Sequence, residues 1–168
     1  MRPGEPVPYK CFVTGNSSVR RERLLGVGLF DEEFREYGGE DLELGYRLHL
    51  DGATFHYDPE ALSLHHHLRS LDQVCRLMYR YGATGLPVLL RKHPSLAPVL
   101  RLDFLDAARL SPRRLLLRLA LLPAAHAAVR SLVGLGMRYR MPSICFDYLW
   151  WYNRTRGYLS AEPPPEVR

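Results

Sequence analysis

Little in this chain of 168 residues suits a covalent staple or a bound zinc ion. Its three cysteines, Cys11, Cys75 and Cys145, are odd in number and far apart. No CxxC or Cys/His ligand spacing occurs, which argues against a disulfide framework and a zinc site and leaves reduced, partly buried thiols as the expectation. No uninterrupted apolar run approaches the roughly 20 residues that a bilayer-spanning helix needs. Met1 to Pro6 lacks the apolar stretch of a secretory signal. No internal repeat is visible. Lysine is scarce, so the 23 Lys+Arg are nearly all arginine, and they give a formal charge of +5 and a pI near 9.3. Arginine's planar fork binds oxyanions bidentately. An excess of this size fits nucleotide, anionic lipid or nucleic acid about equally. With 46% apolar and 24% charged residues, the chain reads as globular rather than disordered.

In chain order, residues 1–9 are a Pro/Gly-rich lead-in expected to be extended. Lys10 to Thr14 reads as a short strand ended by a turn at Gly15-Asn16. Ser17 or Ser18 is placed to cap a short helix, Val19 to Leu25, broken by Gly26 and Gly28. Phe30 and Phe34 flank an acidic turn and are expected in the core. Gly38-Gly39 lets the backbone turn tightly or lie close to a ligand. A helix over 40–50 follows, with acids in its first turn, Arg47 and His49 in its last, and Leu44 and Leu48 on one face. Ala53 to Tyr57 and Ala61 to Leu64 read as strands, the second leading into His65-His66-His67.

From Ser70 the pattern turns helical. Leu71, Val74, Leu77, Met78 and Tyr81 predict a helix ending at Gly82. Breaks are expected at Gly85-Leu86-Pro87 and at Pro94. Residues 98–110 and 112–136 read as helices, the second interrupted by Pro123. Arg113, Arg114, Arg118 and Arg130 alternate with leucines there. Two readings stand side by side: a helix lying on a membrane surface, and an ordinary amphipathic helix packed on the domain. Ile144 to Tyr158 interleaves aromatics with Arg154 and Arg156. This suits a helix packing its rings into a core, an interfacial belt or nucleic-acid stacking. The tail from Ala161 to Arg168 is expected to be disordered.

Two features carry chemistry. Glu40-Asp41 sits behind two glycines at a helix start, where the positive helix end favours negative charge. Such a pair can be a plain cap. It can also be a fixed base, open on one side, that takes a proton from a hydroxyl. In His65-His66-His67, a neutral imidazole could ligate a divalent ion. Three consecutive histidines do not converge, so one ligand from here plus carboxylates from elsewhere is the workable arrangement.

Four stretches, in order, resemble one family. They are Phe12 to Glu22, Val27 to Phe34, Tyr37-Gly38-Gly39-Glu40-Asp41-Leu42-Glu43-Leu44-Gly45-Tyr46-Arg47-Leu48, and Pro59-Glu60-Ala61 with His65. Together they resemble the C-terminal half of family 2 glycosyltransferases of the GT-A fold. They are also similar to the C-terminal catalytic module of animal galactosyltransferases and polypeptide N-acetylgalactosaminyltransferases. The resemblance covers roughly residues 8–82.

It implies an α/β class, a partial GT-A fold with a small mixed sheet, over 1–82; residues 83–168 lie beyond the resemblance and read from their own pattern as a mainly helical region. It implies Asp41 as the base that deprotonates an acceptor hydroxyl, with inversion at the donor sugar. Glu40, Gly38 and Gly39 would lie against the sugars, and Asn16 and Arg21 would line the donor floor. His65, rather than His66 or His67, would be the C-terminal ligand of Mn²⁺ or Mg²⁺. The donor would be a nucleotide-diphosphate sugar and the acceptor a cell-surface glycan or glycolipid.

The family's nucleotide-binding half and its Asp-x-Asp metal ligands do not occur here; Asp41-Leu42-Glu43 is the nearest spacing. The expectation is a fragment, inactive without a missing N-terminal half. The alternative is a non-catalytic membrane-surface or protein-interaction module that keeps the motifs as scaffold. Nucleic-acid binding explains least of the sequence. The expected location is cytoplasmic, with the inner face of the plasma membrane as the place of any peripheral attachment.

Overall fold

The computed structural model describes residues 2, 4–66, 68–105, 111–136 and 141–161. His67, residues 106–110 and the tail from 162 therefore lie outside the described residues. The chain divides into two compact units, Met1–Leu68 and Arg69–Arg168. This division falls ahead of the 82/83 boundary read from the sequence, because the helix after Ser70 makes its contacts with later helices.

The first unit carries β1 (Pro6–Val7), α1 (Arg21–Gly26), α2 (Glu40–Leu50) and β2 (Phe55–His56). β1 and β2 pair antiparallel, with Pro6 opposite His56 and Val7 opposite Phe55. The expected mixed sheet is thus a two-stranded antiparallel ribbon, and the described chain is mostly helical. α2 forms where the pattern places it. Glu40, Asp41 and Glu43 occupy its first turn, and Leu44 and Leu48 are buried on one face. Phe12 joins those leucines in the core, with Val19, Leu24, Val27, Ala53 and Phe55 around them.

Several local expectations fail for visible reasons. Lys10 to Thr14 is not a strand. Two 3-10 turns, Tyr9–Cys11 and Thr14–Asn16, flank an extended Phe12-Val13. The amides of Cys11 and Phe12 bond back to the Pro8 and Tyr9 carbonyls, so local turns satisfy groups that a ladder would have used. Ala61 to Leu64 forms no strand, and Leu62 and Leu64 stand exposed. Arg20, not a serine, precedes α1, while Ser17 Oγ donates to the Val13 carbonyl at 2.6 Å. Phe30 is 46% exposed and outside the core; Phe34 is half-buried.

The second unit contains α3 (Leu71–Ala83), α4 (Gly85–Lys92), α5 (Pro112–Ala120), α6 (Pro123–Gly136) and α7 (Ser143–Ser160). A capping box starts α3: the Ser70 amide donates to Gln73 Oε1 at 2.7 Å, and the Gln73 amide donates to Ser70 Oγ at 3.3 Å. α3 ends at Ala83, one residue past the expected Gly82. That glycine lies against α7, where an added Cβ would sit 1.9 Å from the Arg154 carbonyl oxygen. Gly157 answers it, since a Cβ there would lie 2.0 Å from the Tyr79 oxygen. The two glycines let the helix backbones touch, a use of glycine that outweighs its poor helix propensity.

Gly85-Leu86-Pro87 is not a break but the first turn of α4, where proline is tolerated, and Leu86 and Leu89 are buried. A 3-10 turn, Asp103–Leu105, stands within the helix expected over 98–110. Pro123 starts α6, which bends 65° from α5. Cys75, Val133 and Leu149 form a core shared by α3, α6 and α7. All three thiols are free. Cys75 is buried, with burial pushing its thiol pKa up, whereas Cys11 is exposed rather than partly buried.

Candidate functional site

The site candidates of the first unit gather around the N-terminus of α2. Gly38 and Gly39 have φ of 100° and 103°, a left-handed backbone that other residues adopt only with strain. They swing the chain into α2 and leave Glu40 and Asp41 half-buried in its first turn. Thr14 Oγ1 donates to Asp41 Oδ1 at 2.6 Å. This bond orients the carboxylate and leaves Oδ2 as the oxygen that Thr14 does not engage. Sequence reasoning missed Thr14, since a single threonine gives no spacing signal for a partner 27 residues away. Glu40 Oε2 is buried without a hydrogen-bond partner among the described residues. An oxygen so placed costs about 1–3 kcal/mol until a donor reaches it.

Asn16 lies in the same 3-10 turn as Thr14, and its Nδ2 donates to the Ala61 carbonyl at 2.7 Å. One short turn therefore holds Asp41 on one side and the segment before the histidines on the other. Four residues separate Ala61 from His65, so their Cα atoms lie within about 14 Å of each other. His65 and His66 are exposed, and His67 lies outside the described residues. Arg21 is exposed at the start of α1.

Below the carboxylates stands a pair that the sequence reading did not name. Arg47 lies in the last turn of α2, as its position predicts. It also forms a bidentate ion pair with Glu43, Nε to Oε1 and Nη2 to Oε2, both at 2.7 Å. Its fork also donates to the Val27 carbonyl and, at 2.6 Å, to that of Leu29. Glu43 is 2% exposed, rare for a glutamate and tolerable because it is paired. The pair ties the turn at Gly28-Leu29, both residues with positive φ, onto α2. The i, i+4 spacing of Glu43 and Arg47 was the available signal.

Among the described residues, no three His, Cys, Asp or Glu side chains gather closely enough to hold a metal ion. The donor set among the described residues does not make a complete metal site.

A family model described as the N-terminal domain of galactosyltransferase matches residues 2–69. The chain is 45% identical over 62 residues to an uncharacterised glycosyltransferase of Bacillus subtilis (strain 168), a match covering 37% of this chain and 16% of that protein. It is 38% identical over 96 residues to the validoxylamine A glucosyltransferase of Streptomyces hygroscopicus subsp. jinggangensis, covering 56% and 22%. It is 43% identical over 58 residues to the chondroitin synthase of Pasteurella multocida (strain Pm70), covering 34% and 6%. The chain thus spans no more than about a fifth of the length of these relatives. No solved structure matches it. Residues 2–69 are glycosyltransferase-like sequence, in accord with the resemblance. The matching model's description names an N-terminal domain, where the resemblance implies a C-terminal half.

Proposed function

We propose that the first unit is the acceptor side of an inverting glycosyltransferase of family 2 and GT-A fold, with Asp41 as its base. The observation that carries this is the Asp41 carboxylate, held by Thr14 at the glycine-built start of α2. Asp41 takes the proton from the acceptor hydroxyl. The acceptor oxygen then forms a bond to the anomeric carbon of a nucleotide-diphosphate sugar, from the face opposite the leaving group. The carbon–oxygen bond to the diphosphate breaks, and the diphosphate leaves with the electron pair.

Glu40 Oε2, buried and unpartnered, is suited to accept a hydrogen bond from a sugar hydroxyl. Gly38 and Gly39 allow the sugar close to the backbone, and Asn16 and Arg21 face the donor side. We place the unit as the C-terminal half of that catalytic domain, beside a nucleotide-binding half that this sequence does not include. His65 is our candidate for one ligand of a divalent ion, Mn²⁺ or Mg²⁺, whose carboxylate ligands belong to that other half. The acceptor class is a cell-surface glycan or glycolipid, with the work done on the cytoplasmic side.

The test is a chimera that joins the nucleotide-binding half of the Bacillus subtilis relative to this chain, assayed for transfer from nucleotide sugars. A positioned base contributes roughly 10²–10⁴-fold. Asp41→Asn should therefore remove activity by at least that lower bound without unfolding α2. Transfer that persists in Asp41→Asn would refute the assignment. In the same chimera, His65→Ala should raise the Mn²⁺ concentration needed for half-activity, and an unchanged metal titration would remove His65 from the ligand set.

A second reading concerns α5 and α6. Leu115, Leu116, Leu119, Leu122, Leu132 and Leu135 are all exposed, Leu135 at 81%, while Arg114 and Arg118 are half-buried beside them. No single helix among the described residues is long and apolar enough to cross a membrane. Exposed leucines interleaved with arginines suit a surface that lies on anionic lipid. Flotation with phosphatidylglycerol vesicles should carry the chain upward. Replacing Leu115, Leu116 and Leu119 by Gln should abolish flotation, and flotation that survives this change would reject the reading.

A further inference from the structure

Between Asp106 and Asp147 the sequence carries no Asp or Glu. α5 and α6 lie in that stretch, and the cations they hold are arginines. In α6 the polar groups turn inward. Arg130 pairs with Asp72 of α3, and His126 stacks on Tyr152 of α7 with ring centroids 4.2 Å apart. Val133 is fully buried in the core it shares with Cys75 and Leu149. Residues 126, 130 and 133 recur at helical spacing and so mark the face that α6 turns to its neighbours. The Tyr148 hydroxyl of α7 donates to the Ala120 carbonyl at 2.8 Å and anchors the end of α5.

The opposite face of α6 carries no charge. Ala124, Ala127, Ala128, Leu132 and Leu135 are exposed along it, with Ser131 as its one hydroxyl. Exposed Leu122 continues it at the bend, and Leu119, Leu116 and Leu115 extend it over α5. Arg114 and Arg118 are half-buried, and the exposed Arg113 stands in the first turn of α5. A helix that rests on a membrane keeps its charged face toward water. Here α3 and α7 occupy that side of α6, and what remains outward is apolar. In sequence, Arg109 and Arg113 precede this apolar stretch and Arg138 and Arg140 follow it, a pattern that suits headgroups at both ends.

Length decides how far such a face can enter. α5 has 9 residues and α6 has 14, so they run about 14 and 21 Å. Each falls short of a hydrocarbon core of about 30 Å, and a 65° bend keeps them from adding up to one span. We propose that the outward face of α5 and α6 inserts into the acyl region of a single leaflet, held by apolar contact rather than by charge. This rests on the membrane reading of the same helices and adds to it the depth and the lipid chemistry. Hydrocarbon is the partner, so zwitterionic phosphatidylcholine suffices.

The test uses the full chain with labelled leucine methyls and phosphatidylcholine nanodiscs that carry a nitroxide either at the headgroup or within the acyl chain. The methyls of Leu115, Leu116, Leu119, Leu122, Leu132 and Leu135 should broaden more with the acyl-chain label. Leu62 and Leu64, 86% and 88% exposed in the first unit, should keep their signals. Attachment should persist in 1 M salt, where charge attraction is screened beyond about 3 Å. Leu122→Gln should weaken it roughly tenfold, and Leu64→Gln should leave it unchanged. Broadening by the headgroup label alone overturns insertion and leaves the surface reading standing. So does attachment confined to phosphatidylglycerol vesicles and lost at high salt. No broadening by either label, together with no flotation on phosphatidylglycerol, overturns both. Equal broadening of Leu62 and Leu64 also overturns insertion, because any exposed leucine would then partition. A doubled mass in lipid-free ultracentrifugation, with the face shielded from an aqueous gadolinium chelate, would assign the face to a second copy and reject the proposal.

Discussion

Removing Arg47 should cost the first unit far more than an i, i+4 surface pair would. Glu43 is 2% exposed and satisfied by both arms of the Arg47 fork. Arg47→Met leaves that carboxylate buried without its cation, a loss of about 3–5 kcal/mol. The whole unit, read at typical stability per residue, holds only about 3–10 kcal/mol. The single substitution should therefore unfold much of it. Replacing both partners, Glu43→Leu with Arg47→Met, removes the stranded charge. The Val27 and Leu29 carbonyls then lose the Arg47 donors, and Leu29 is exposed enough for water to replace one. The double variant should cost about 1–2 kcal/mol, so at least ~1 kcal/mol and more nearly 2–3 of the single-variant loss should be recovered.

The choice of assay matters, because Trp150 and Trp151 both lie in α7 of the second unit and their fluorescence is blind to the first. Amide hydrogen exchange of Leu44 to Leu48 in α2 reads the correct unit. If Arg47→Met is no more damaging than the double variant, the buried pair is not what holds the Gly28-Leu29 turn to α2, and the reasoning fails.

Three further outcomes follow from the packing. Gly157→Ala drives a methyl to 2.0 Å from the Tyr79 oxygen, so α3 and α7 must separate. A loss of at least about 1–3 kcal/mol is expected in urea unfolding followed by tryptophan fluorescence. Thr14→Val removes the bond to Asp41 at 2.6 Å. In the chimera it should lower kcat more than it raises KM, while the melting temperature moves little; a pure KM effect would show that Thr14 does not orient the base. The His126 pKa lies below its ordinary 6.5 in the fold, so the unfolded chain takes up its proton first as pH falls. Its contribution is present above pH 6.5 and is lost on acidification toward the folded pKa. His126→Phe should flatten that part of the melting temperature against pH, and an unchanged slope would refute the burial.

α2 was legible because three signals agree on it: paired glycines before it, acids in its first turn and Leu44 with Leu48 on one face. α3 was legible from the helical spacing of Leu71, Val74, Leu77, Met78 and Tyr81, whereas its Ser70–Gln73 capping box came from the structure. The strands expected at Lys10 to Thr14 and Ala61 to Leu64 were not, because β-rich composition says nothing about whether a partner edge exists. Gly82 reads as a stop and α3 does end beside it, but its contact with α7 is visible only in three dimensions.

At the candidate site, the sequence by itself determined the carboxylate pair, its glycine hinge and the likeness of residues 2–69 to glycosyltransferases, since these are short-range patterns. Only the tertiary structure decided that Thr14 orients Asp41, that Arg47 donates to the Val27 and Leu29 carbonyls, and that α3 and α7 meet at Gly82 and Gly157. Those relations join residues far apart in the chain, and no local periodicity or propensity encodes which distant side chain supplies a donor or a charge.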